Sequence, residues 1–120
     1  PCDGGCVRLP QIVGLGNAME MILSGERIDA KHAFHIGLVN RIYPLEELVP
    51  RSLEFAEVLA SRAPLAQQFA KEVMRRSLDI PVADALKLES RSFYDLGQTT
   101  DIKEGTKAFR EKRQANFKGK

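Results

Sequence analysis

Residues 64–79 read PLAQQFAKEVMRRSLD. Leu65, Ala66, Phe69, Ala70, Val73 and Met74 recur at spacings of three and four, so a helix of 3.6 residues per turn gathers them into a single buried stripe. Gln67, Lys71, Arg75 and Arg76 face away from it. The pattern repeats upstream over Ser52 to Ser61, where Leu53, Ala56, Leu59 and Ala60 point inward. Downstream of Ile80-Pro81 it predicts a long helix over about Val82 to Leu96. Gly97 and the run QTTD separate that helix from a last one, which Thr100 or Asp101 can cap.

The first third is more broken. A short helix is expected from Gly4 to Val13, with Asp3 placed to cap it and Pro10 ending or kinking it early. Gly14 and Gly16 interrupt the chain before a helix from about Asn17 to Leu23, which Gly25 stops. The run ERIDAKHAFHIGLVNRIYP then reads as a short extended piece, an Asp29 cap, a two-turn helix ended by Gly37, and a β-like run from Leu38 to Tyr43 closed by Pro44. The fold class is therefore mainly α, with at most a token of strand. The apolar residues of GNAMEMILSG and IGLVNRI exceed what the later stripes need, so something else is expected to sit against them.

Composition places the chain in the ordinary soluble globular class: 43% of its 120 residues are hydrophobic and 28% charged, with no apolar run long enough for a membrane span. Cys2 and Cys6 are too few for a secreted disulfide framework, which points to a reducing setting. Charge is uneven. Residues 1–102 carry 11 basic and 14 acidic side chains, whereas residues 103–120 carry 7 basic and 2 acidic. The tail KEGTKAFREKRQANFKGK is either a solvated terminal helix or an anion site for phosphate beside an adenine ring, or for nucleic acid. His32 and His35, three apart, lack further ligands at suitable spacing for a metal.

At residues 3–48, DGGCVRLPQIVGLGNAMEMILSGERIDAKHAFHIGLVNRIYPLEEL, the chain resembles the enoyl-CoA hydratase/isomerase (crotonase) superfamily. Gly4, Gly5, Arg8, Leu9 and Pro10 match its Gly-Gly-Thr-x-Arg-Leu-Pro-type turn, and Val13 and Gly14 the break that follows. Ala18, Glu20, Leu23 and Gly25 match its Ala-x-Glu-x-x-Leu-Thr-Gly helix; Ala33, Gly37, Leu38 and Val39 match its Ala-x-x-Gly-Leu-Val turn. The ending EGTKAFREKRQANFKGK is similar to the family's Glu-Gly-x-x-Ala-Phe-x-Glu-Lys-Arg close.

The resemblance implies that the chain is the last stretch, under half, of a longer α/β spiral protein of the ClpP/crotonase type. Residues 1–44 would end the spiral core, and residues 45–120 would form a helical trimerisation or lid region. It implies an acyl-CoA substrate, hydrated through an oxyanion-stabilised enolate, with the catalytic glutamates and oxyanion amides upstream of Pro1. No catalytic residue is then expected in this chain. Asp3 is a weak candidate, since isomerase relatives place their acid one residue earlier in this loop and a helix cap is the weightier reading. A glycine of the family's loop, whose amide helps position water, is replaced by Cys2. Coenzyme A would enter as part of the substrate, its adenine end meeting Phe93, Phe109 and Lys112 at matching positions; the alternative is that both phenylalanines are ordinary core residues. The resemblance further implies no metal, no nucleic acid, no membrane, a homo-oligomer (a trimer or dimer of trimers), and a cytoplasmic setting, mitochondrial if eukaryotic. A non-catalytic CoA-binding or oligomerisation module is the alternative function.

Overall fold

The computed structural model describes residues 3–120. It divides into two compact units, the first reaching Arg51 and the second running Ser52–Lys120. Seven helices stand among the described residues and no strand: α1 Gly5–Val13, α2 Leu15–Ser24, α3 Ala30–His35, α4 Leu45–Ala60, α5 Pro64–Arg76, α6 Val82–Gly97 and α7 Thr100–Glu111.

In the first unit α1 packs on α2, with Val13 and Ala18 buried. Asp3 does not cap α1. The cap position belongs to Gly4 at φ 86°, with no side-chain hydrogen bond, and Asp3 itself adopts φ 59°. Two successive left-handed residues turn the chain into the helix by backbone geometry, and the Gly4 carbonyl accepts from Val7 and Arg8. Pro10 does not end α1, which continues to Val13. The break comes at Gly14, whose φ 80° and ψ 157° lie in a region essentially reserved for glycine. Gly16 breaks nothing, because α2 already begins at Leu15.

Asp29 caps α3 as expected, accepting from the His32 N–H at 2.7 Å. Gly37 at φ 77° closes the same helix: its N–H reaches the Phe34 carbonyl and the Leu38 N–H the Ala33 carbonyl, the paired bonds of a Schellman turn. Leu38 is thereby spent on the helix end, and the β-like run predicted to Tyr43 is irregular. A strand needs a neighbour for its ladder, and the described residues supply none.

In the second unit α5 packs on α6. Leu65, Ala66, Phe69 and Val73 are half-buried, but Ala70 and Met74 are exposed, Met74 by 63%. The stripe is thus narrower than its periodicity. Gln67 does not face away: it is half-buried and its amide donates to the Leu59 carbonyl at 2.8 Å. The α4 residues Leu53, Ala56, Leu59 and Ala60, expected inward, are all exposed. Thr99, not Thr100 or Asp101, caps α7; its extended backbone lets its hydroxyl accept from the Ile102 N–H at 3.3 Å. Thr100 and Asp101 are already helical and have other partners.

Candidate functional site

The second unit ends in a helix and a tail that doubles back on it. Asp101 is 4% exposed, and its two carboxylate oxygens accept the backbone N–H groups of Lys118 and Gly119, each at 2.8 Å. The Lys120 carbonyl in turn receives the Thr100 and Asp101 N–H groups at the start of α7, and the Thr100 hydroxyl at 2.7 Å. Orphan donors of a helix N-terminus are thus met from within the chain.

Farther along α7, Glu104 takes a two-pronged grip from the Arg113 guanidinium, Nη1 at 2.6 Å and Nη2 at 2.9 Å, and accepts the Asn116 N–H at 2.9 Å. Arg113 also donates from Nε to Glu111 at 2.6 Å. The Arg113 hydrogen bonds, followed by the Asn116 N–H, hold the Glu104 carboxyl down at about 2, and the two glutamates push the Arg113 guanidinium upward. Arg113 is therefore not available as a free cation of the basic tail.

The fold-back walls an open groove of about 440 Å³, lined by Leu65 and Ala66 of α5, Leu96 of α6, Ile102 and Phe109 of α7, and Phe117 of the tail. Gly105 makes room for the Phe117 ring, since a β-carbon there would come within 3.3 Å of it. The groove is almost wholly apolar.

Phe109, 86% exposed, stands at this groove, and Lys112 follows one turn later, its N–H directed to the Phe109 carbonyl at 3.3 Å. Lys112 adopts φ 51° and ψ 38°, a left-handed conformation unusual for a residue with a β-carbon. Phe93 lies on α6, 69% exposed, and does not line the groove. In this chain neither phenylalanine is a core residue. Asp3, also exposed, belongs to the first unit. Cys2 lies outside the described residues, and Cys6 is an exposed free thiol on α1. Among the described residues no three His, Cys, Asp or Glu side chains converge as metal ligands, and no helix is long and apolar enough to cross a membrane.

Sequence reasoning missed Asp101, Glu104, Arg113 and Phe117 as a unit. The available signal was the pair of acids, Glu104 and Glu111, interleaved among seven basic residues.

Comparison with known proteins gives a consistent result. The sequence profile described as Enoyl-CoA hydratase/isomerase matches residues 1–120. The chain is 44% identical over 118 residues to the mitochondrial enoyl-CoA hydratase of Pongo abelii, covering 98% of this chain and 41% of that protein. It is 38% identical over 117 residues to the crotonyl-CoA hydratase of Syntrophomonas wolfei, covering 98% and 45%. The crystal structure of an enoyl-CoA hydratase from Bacillus anthracis superposes with a TM-score of 0.94 at 37% identity, over 98% of this chain and 45% of that one. The chain spans less than half the length of the curated relatives it matches.

Proposed function

The chain belongs to the enoyl-CoA hydratase/isomerase family, and from that premise we propose that it is the C-terminal section of an enzyme that hydrates 2-enoyl-CoA thioesters. One observation carries this reading: the chain aligns end to end with hydratases while covering less than half of them. The enolate that forms when water adds to the conjugated double bond needs aimed N–H donors, each worth about 100- to 1,000-fold in rate, and carboxylates within reach of the water and the α-carbon. Those groups are assigned upstream of Pro1, with residues 1–44 finishing the core that bears them.

The work left to this section is binding and support. The exposed Phe109 ring offers a face for adenine to stack on, and Lys112 offers a compact positive charge for the 3′-phosphate beside it. Phe93 is assigned to the same nucleotide end, across a subunit boundary where its own helix leaves it outside the groove. Residues 45–120 present exposed apolar side chains, among them Leu45, Val49, Leu53 and Leu86, suited to contacts with the rest of the enzyme and with further copies in a trimer or dimer of trimers. A cytoplasmic location, or a mitochondrial one in a eukaryote, goes with this function.

The test is turnover of crotonyl-CoA by the 120-residue chain and by the complete protein. The complete protein is expected to hydrate it, and to lose activity when either upstream glutamate becomes glutamine; the short chain is expected to do nothing. Turnover by the short chain would overturn the assignment. A complete protein that retains CoA yet hydrates nothing would favour the alternative of a non-catalytic CoA-binding or oligomerisation module.

A further inference from the structure

A left-handed lysine has to be held. Lys112 and Asp3 are the non-glycine residues at positive φ among those described, and at Lys112 the restraint is visible on every side. Its own N–H goes to the Phe109 carbonyl at 3.3 Å, and the Arg113 N–H to the Ala108 carbonyl at 3.1 Å, a Schellman pattern in which a lysine fills the position that glycine usually takes. The residues before and after it, Glu111 and Arg113, are joined through the Arg113 Nε at 2.6 Å. The other prong of the same guanidinium is locked on Glu104, two turns back along α7, and Glu104 also fixes the Asn116 N–H. The peptide carrying Lys112 is therefore tied down at both ends by one arginine, and that arginine is aimed by one carboxylate.

A glycine would make this turn with less strain, so the lysine side chain is the feature that gives the arrangement a purpose. Without the clamp, the left-handed turn would rest on its two backbone hydrogen bonds alone, at 3.3 and 3.1 Å. Among the described residues the Lys112 ammonium makes no ion pair, so its charge is open to a ligand.

We infer that Glu104 and Arg113 are positioning residues that hold Lys112 left-handed beside Phe109, so that its ammonium meets the 3′-phosphate of coenzyme A. The inference rests on the nucleotide-end assignment above, and its test separates the two. In the complete protein, the ratio of dissociation constants for 3′-dephospho-CoA and CoA reads the lysine–phosphate contact alone. Lys112→Ala is expected to lower that preference about tenfold, the size of a charge-assisted hydrogen bond lost. Glu104→Gln is expected to lower it about threefold or more, and Arg113→Lys, which keeps the charge but loses the fork, to do the same. Glu72→Gln, which breaks the exposed α5 pair with Arg76, leaves it unchanged.

In a Lys112→Ala background, Glu104→Gln should have no further effect on the preference. That non-additivity is what action through Lys112 requires, and a general loosening of the tail would not produce it. If Lys112→Ala leaves the preference intact, the nucleotide-end assignment fails and the inference with it. If Lys112→Ala abolishes the preference while Glu104→Gln and Arg113→Lys keep it, the positioning inference alone is overturned.

Discussion

Replacing Asp101 by asparagine isolates what seats the tail. The carboxylate is buried and each of its oxygens accepts one backbone N–H, from Lys118 and from Gly119, both at 2.8 Å. Asparagine keeps one acceptor and turns an NH₂ group toward the other donor, so one bond to a charged acceptor is lost and the second becomes neutral. A hydrogen bond to a charged group contributes about 1.5–3 kcal/mol net. Asp101 also lies in the first turn of α7, where loss of its charge costs only about 0.3–1 kcal/mol through the helix dipole. The hydrogen-bond loss dominates. It is capped by the free energy of seating the tail, because a peeled tail regains water. About 2–3 kcal/mol is therefore expected, which corresponds to roughly 30- to 150-fold faster opening of the tail. Amide hydrogen exchange resolved at Lys118 and Gly119 measures it directly, with α5 amides as the unaffected reference. Unchanged protection at both amides in Asp101→Asn would mean that the carboxylate does not hold the tail, and the fold-back would need another cause.

Glu104 gives a pH signature. Its folded carboxyl is held at about 2 against an ordinary 4.5, so between those values the unfolded chain binds more protons; the stabilisation is complete above 4.5 and is lost as pH falls toward 2. Glu104→Gln should flatten that limb of melting temperature against pH, and parallel profiles would count against the clamp. Lys112→Gly relieves a left-handed conformation that costs a side-chain-bearing residue about 1–2 kcal/mol, less the entropy that glycine loses on ordering, for a net gain of about 0.5–1 kcal/mol. The variant should melt a few degrees higher while losing the preference for CoA over its 3′-dephospho form. Asp29→Ala should cost about 1 kcal/mol in a urea melt, since α3 is six residues long and this cap supplies its N-terminal partner.

The helices were legible because apolar spacing and glycine stops act locally. Asp29 and Gly37 were read correctly for that reason, each needing only its own backbone to do its work. Asp3 was misread because Asp3 and Gly4 turn the chain through positive φ angles, which no side-chain pattern announces. At 99–101, three adjacent residues could each cap a helix, and the choice fell to Thr99 because Thr100 and Asp101 are bound to a tail almost twenty residues away. That tail was invisible for a physical reason. Asp101 and Glu104 read it largely through backbone N–H groups, and every non-proline residue carries one. The positions matched to the nucleotide end rest on resemblance, whereas the left-handed turn at Lys112 and its clamp depend on contacts between residues 104, 111 and 113 that apolar spacing does not announce.

Two kinds of surface differ in how far this chain completes them. Along α7 and its tail the polar demand is met internally: the helix start by Lys120, the buried carboxylate by Lys118 and Gly119, and Glu104 by Arg113 and Asn116. The apolar demand elsewhere is not met. Among the described residues the buried hydrophobic side chains are Val13, Ala18, Ala33 and Ala108, none of them larger than valine. Leu15, Leu23, Leu45, Val49 and Leu53 are each more than 60% exposed, and full burial of such a side chain is worth about 1.5–3 kcal/mol. Each of these side chains would gain from being covered, which is the physical ground for the contacts with other polypeptide proposed above. The hydrogen-bonded network thus gathers around the left-handed lysine, and the uncovered apolar side chains are the places where the proposed assembly would add stability.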